Sequence, residues 1–117
     1  MNKFHFIIDN EKKNNKLKKS LFNKYKNYSQ KACNVIVVLG GDGFMLKTLK
    51  KYQKYNKPFY GINRGSFGFL MNKYKTSNVD KIVSKAKLLS ISPLQMKAVA
   101  KSGKIFTAIA INEVSLL

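Results

Sequence analysis

V-I-V-V-L-G-G-D-G, residues Val35 to Gly43, decides how the rest of the chain is read. Its first five residues are apolar and four of them are Val or Ile, a pattern for a short strand buried on both faces. The strand stops on Gly40, Gly41 and Gly43, with one acid, Asp42, held among them. Glycine lets a backbone approach a ligand closely and tolerates positive φ. This end of the strand therefore offers backbone N–H groups and a single carboxylate, which is equipment for handling a phosphate.

Downstream, F-M-L-K-T-L-K-K-Y-Q-K-Y sets Met45, Leu46, Leu49 and Tyr52 on one helical face. A helix is expected to follow Gly43, so the glycine turn feeds a helix N-terminus, where N–H groups and the positive dipole end favour anions. Asn56-Lys57-Pro58 ends it, because proline disfavours helix in the residue before it. Phe59 to Ile62 reads as a third strand and runs into a second glycine loop, G-I-N-R-G-S-F-G-F-L, Gly61 to Leu70.

Upstream, Lys3 to Ile8 reads as the first strand, with His5 as a packed or edge residue and Asp9-Asn10 as turn residues. Leu17, Leu21, Tyr25 and Tyr28 recur at helical spacing among lysines, predicting an amphipathic helix over Glu11 to Gln30. Ser77-Asn78-Val79-Asp80 has the form of a capping box opening a short helix buried through Val79, Ile82, Val83 and Ala86. That role accounts for Asp80. Strands alternating with helices predict parallel βαβ units, hence an α/β domain over 1–88. Past Pro93 the helical period is lost. Leu94 to Lys101 and Lys104 to Leu117 look extended around a Ser102-Gly103 turn, so 89–117 is expected to begin a second, β-rich domain. The chain closes on V-S-L-L while still apolar, and it is expected to be a fragment of a longer protein.

A chain of 117 residues with 44% hydrophobic residues can bury a core and is not of disordered composition. No apolar run approaches the ~18–20 residues that span a bilayer. The N-terminal apolar stretch is too short for a secretory signal and lacks a small-residue cleavage site. The single cysteine, Cys33, makes no internal disulfide, so a reducing cytoplasm is expected; it reads as a packing residue. The net charge of +18 comes almost wholly from lysine, with Arg64 the one arginine. A nucleic-acid surface would favour arginine and a clustered stripe, whereas these lysines are dispersed. Attraction of polyanionic small molecules fits better, and no membrane partner is expected. Carboxylate chemistry must draw on Asp9, Glu11, Asp42, Asp80 and Glu113, the five acids of the chain.

Several nucleotide-site signatures are absent: no G-x-x-x-x-G-K-[ST], no G-x-G-x-x-G at the required spacing, no Cys/His zinc cluster, and no G-x-S-x-G. An acid among glycines between a buried strand and a helix remains. Such a carboxylate can take a proton from an attacking hydroxyl, or help to hold Mg²⁺ beside a polyphosphate. The plainer alternative, a turn Asp, is disfavoured by the strand before it and the helix after it.

Three blocks in order resemble the NAD kinase family: G-G-D-G-F-M-L (Gly40 to Leu46), G-I-N-R-G-S-F-G-F-L (Gly61 to Leu70) and I-N-E-V-S-L (Ile111 to Leu116). Phosphofructokinases and lipid kinases carry a loop similar to the first; the second block is the more specific. The resemblance implies a Rossmann-like N-terminal domain followed by a mainly β domain. It implies transfer of the γ-phosphoryl group of ATP, or of a polyphosphate, to the adenosine ribose 2′-hydroxyl of NAD, with a divalent cation such as Mg²⁺. Asp42 would be the general base, and Gly40, Gly41, Gly43, Leu46, Lys47 and Phe69 would line the site. Asn112 and Glu113 would hydrogen-bond NAD, and no residue is assigned to a metal. For Lys47 a solvated lysine, and for Phe69 a core position, are the alternatives.

Phe44 departs from the family, which more often has a small or polar residue there. Family members are also longer. Their second domain supplies a later Asp and a Gly/Ser/Thr-rich segment, and they form dimers or tetramers largely through it, so an isolated fragment is expected to be inactive. Two alternatives stay open on sequence: a lipid or sugar-phosphate kinase sharing the loop, and a basic nucleotide- or nucleic-acid-binding module.

Overall fold

The computed structural model describes residues 2–10, 14–63, 72–73, 78–86, 88–91 and 114–116. Three parallel strands form its centre: β1 (Phe4–Ile8), β2 (Val35–Leu39) and β3 (Phe59–Asn63). Phe4 pairs with Val35, and Ile36 with Phe59. The second glycine block thus begins inside β3. Short strands β4 (Asn72–Lys73), β5 (Leu89–Ile91) and β6 (Val114–Leu116) extend the sheet. The strand order is β1-β2-β3-β6-β5, and β4 also pairs with β3. β4 and β6 run parallel to β3, and β5 runs antiparallel to β6.

β2 is buried at every position, as its unbroken apolar run requires. Its alternate side chains serve two cores. Ile36 and Val38 join Phe59 beneath helix α2 (Asp42–Tyr52), which contributes Met45, Leu46 and Leu49. Val35, Val37 and Leu39 join Phe4, Phe6, Tyr60 and Ile62 on the opposite face. That face is covered by Leu17 and Leu21 of α1 (Asn15–Lys24) and Val79 and Val83 of α3 (Val79–Lys85). Helices on both faces of a parallel core are the expected α/β arrangement, and each large apolar side chain so buried stabilises it by about 1.5–3 kcal/mol.

Three helix boundaries differ from expectation. α1 is shorter than 11–30: Tyr25, its C-cap, turns to extended backbone at φ −128° and ψ 140°. Tyr25 instead reaches α3, its hydroxyl donating to Asn78 Oδ1 at 2.8 Å and accepting from the Val79 N–H at 3.0 Å. Tyr28 lies in the returning segment, its N–H bonded to Phe4 O and its carbonyl 2.7 Å from His5 Nδ1. The tyrosine spacing reflects these tertiary contacts rather than helical periodicity. α3 is capped by Asn78, one residue past the Ser77 that a capping box requires, and its side chain accepts from the Asp80 N–H at 3.0 Å. Asp80 is held besides by Asn2, whose amide donates to its carboxylate at 2.6 Å. The third boundary, the start of α2, belongs to the site.

Cys33 is buried, its Sγ 3.3 Å from Gln30 O, and loss of hydration pushes its thiol pKa up, so it packs as expected. The Leu94–Lys101 segment, the Ser102-Gly103 turn and Lys104–Glu113 lie outside the described residues. No helix among the described residues is long and apolar enough to cross a membrane.

Candidate functional site

The carboxyl ends of parallel strands, where loops open between sheet and helices, are where open α/β sheets bind ligands. Here that edge is held by backbone bonds one residue past each strand. The Asp9 N–H donates to Leu39 O at 2.8 Å and the Gly40 N–H to Ile62 O at 3.0 Å. The loop is thereby tied into the sheet at its first glycine.

α2 begins at Asp42, two residues earlier than the glycine pattern predicts, with Gly41 as N-cap at φ −100° and ψ −176°. The first helical bond runs from the Met45 N–H to Gly41 O at 2.9 Å. Asp42 and Gly43 therefore belong to the first turn, where an acid suits the helix dipole. Gly41 has no side chain with which to cap the helix, so the N–H groups of the turn face the loop. None of Gly40, Gly41 and Gly43 uses positive φ; among the described non-glycine residues Asn56 does.

The glycines differ in what surrounds them. A Cβ on Gly40 would lie 2.7 Å from Phe44 Cδ2 and 3.1 Å from Phe44 Cβ, so the ring of Phe44 occupies the space that Gly40 vacates. A Cβ on Gly41 or Gly43 would meet nothing within 4 Å. Neither packing nor φ calls for glycine at these two positions, which border open space.

Helical spacing sorts the remaining residues. Leu46 lies one turn beyond Asp42 and is buried against Ile36, Val38 and Phe59. Asp42, partly buried, therefore stands above the sheet-facing side of α2, over the edge of the sheet. Lys47 lies one turn beyond Gly43, and both are exposed. The structure thus gathers Gly40, Gly41, Asp42, Gly43, Leu46 and Lys47 on one strand–turn–helix unit. Phe69, Asn112 and Glu113 lie outside the described residues.

A model of the ATP-NAD kinase N-terminal domain matches residues 2–87. The chain belongs to this family. ATP-NAD kinase relatives named NAD kinase include those of Rhizobium meliloti, 42% identical over 98% of this chain and 45% of the relative, and Brucella suis, 39% identical over 96% and 44%. The NAD kinase of Cereibacter sphaeroides is 52% identical over 71% of this chain and 33% of its own length. The chain thus spans somewhat under half the length of the first two relatives.

Asp9, just past β1, and Asn63, the last residue of β3, stand at the same edge of the sheet.

Proposed function

We propose that this chain forms the NAD-contacting N-terminal part of an enzyme that phosphorylates the adenosine ribose 2′-hydroxyl of NAD, with ATP or a polyphosphate as donor. The reading is carried by the open space at Gly41 and Gly43 beside Asp42, the one acid of the loop. With no Cβ at either glycine, a ribose can approach the backbone until its hydroxyl reaches the carboxylate. Asp42 then accepts the hydroxyl proton as the oxygen attacks the γ-phosphorus and the bond to the donor's bridging oxygen breaks. N–H groups of the first turn of α2 and the ammonium of Lys47 favour the anionic groups of the dinucleotide. Leu46 supports Asp42 from below, while Phe69, Asn112 and Glu113 complete the contacts to NAD.

Family membership favours this reading over a lipid or sugar-phosphate kinase and over a nucleic-acid-binding module. The described residues do not fit a protein-held metal: no three His, Cys, Asp or Glu among them come together. A divalent cation would arrive on the donor's phosphates. The complete protein is proposed to be a cytoplasmic homo-oligomer, a dimer or tetramer, with a second domain beginning near residue 89.

Asp42→Asn in the full-length protein should lower NAD phosphorylation at least about a hundredfold. NAD affinity by calorimetry should stay within about threefold, since the amide keeps the carboxylate's shape. Near-normal turnover in that variant would remove the general-base role.

A further inference from the structure

The turn that carries Asp42 is soft by composition. Gly40, Gly41 and Gly43 surround the acid, and a glycine backbone has more conformational freedom to lose than any other. The two ends of the turn are nevertheless fixed. At the sheet end the Gly40 N–H donates to Ile62 O at 3.0 Å, and at the helix end the Met45 N–H donates to Gly41 O at 2.9 Å. One side chain joins these ends directly, that of Phe44.

A Cβ on Gly40 would lie 2.7 Å from Phe44 Cδ2, with Phe44 Cγ and Cβ each at 3.1 Å. A carbon–carbon single bond is about 1.5 Å long, so the ring rests on the Gly40 backbone itself. Helical side chains lean back over the preceding turn, which is the direction this contact needs. Phe44 is itself held firmly. Half-buried, it packs against the cluster of Ile36, Val38, Met45 and Leu49 under α2. Its carbonyl accepts from the hydroxyl of Thr48, a buried residue one turn on, at 2.8 Å. A brace thus runs from the core, through the Phe44 ring, to the glycine that is bonded to β3. Gly41, Asp42 and Gly43 lie inside the turn that it closes, where a Cβ on either glycine would meet nothing within 4 Å.

We infer that Phe44 is a positioning residue for the reaction, its ring on Gly40 closing the glycine turn and holding the Asp42 carboxylate in place. The inference rests on the proposed general-base reading. A general base works within hydrogen-bond reach of the hydroxyl proton, and a misplacement of about 1 Å can cost about a hundredfold in rate. An aliphatic side chain could fill the core beneath α2, but a flat ring is the shape that lies along a glycine without displacing it. The openness that admits a ribose at Gly41 and Gly43 and the rigidity that aims Asp42 are then supplied by different residues of one turn.

The test uses the full-length protein, with hydrogen exchange, thermal unfolding and NAD phosphorylation measured on the same preparations. In Phe44→Ala the amides of Gly40 and Met45 should exchange about tenfold faster or more, while those of Val37 and Val38 within β2 keep their wild-type rates. The same variant should lose about tenfold or more in kcat, with KM for NAD within about twofold. Phe44→Tyr, which keeps the ring, should stay near wild type in both exchange and kcat. Unchanged exchange or unchanged kcat in Phe44→Ala, or an equal loss of kcat in Phe44→Tyr, would overturn the inference. If Phe44→Ala fails to fold, Phe44→Leu decides: a fall in kcat with unfolding near wild type supports the brace, and wild-type kcat overturns it. The two readings fail differently. A wild-type protein that does not phosphorylate NAD removes the kinase reading, whereas an active wild type, an inactive Asp42→Asn and a folded, fully active Phe44→Ala remove the Phe44 inference alone.

Discussion

The two ends of α2 use their residues in opposite ways. At its exit the helix tightens into a 3-10 turn, Gln53–Tyr55, and the chain escapes through Asn56 at φ 54° and ψ 41°. That left-handed conformation is where glycine is ordinarily favoured, yet the sequence supplies asparagine, the next most tolerant residue. At its start three glycines stand within four positions, and none has a left-handed backbone. Glycine is therefore missing where the backbone would welcome it and abundant where the backbone has no need of it. The exit is a solution to a folding problem. At the start, Gly40 makes room for Phe44, while Gly41 and Gly43 border open space, where the proposed NAD contact would lie.

This contrast can be broken experimentally. Gly40→Ala forces its Cβ against Phe44, including the stiff Phe44 Cβ, and should destabilise the protein by about 1–3 kcal/mol in urea unfolding. Adding Phe44→Ala should recover much of that loss, and failure to recover it would mean that the ring is not the obstacle. Asn56→Ala should cost about 1–2 kcal/mol, the penalty for a left-handed residue with a Cβ and no local polar group, while Asn56→Gly should be close to neutral. Equal stability of the two would erase the special status of the exit. Gly43→Ala has the smallest expected effect on stability and the opposite sign, a gain of about 0.4–1 kcal/mol, since alanine suits a helix better. The same substitution should weaken NAD binding in the full-length protein by crowding the open face. A variant both more stable and undiminished in binding would show that the glycine is incidental.

The parts legible in sequence were those governed by one local rule. β2 could be read because five buried residues in a row leave few alternatives, and the inner face of α2 because Met45, Leu46 and Leu49 repeat at helical spacing. α1 ends short of the helical period because Tyr25 and Tyr28 share its spacing while bonding other elements, Tyr25 to Asn78 before α3 and Tyr28 to His5. The start of α2 lies before Gly43 because an acid in the first turn suits the helix dipole, a preference that the run of glycines masks in the sequence. That Asp9, Gly40 and Asn63 stand at one edge of neighbouring strands is not legible in sequence, since it depends on the register of three strands. The proposed contacts of Phe69, Asn112 and Glu113 rest on family resemblance.

The placement of β6 also constrains the order in which the sheet can assemble. Its partner β3 is complete by Asn63, but Leu116 pairs with Phe59 and is synthesised much later. As the chain leaves the ribosome, β1, β2 and β3 can join through short crossovers while one flank of β3 remains partly uncovered. An open edge of buried, apolar strand is a template for pairing with other chains. The fold thus contains an interval of exposure during synthesis, and it closes when a distant segment docks along β3.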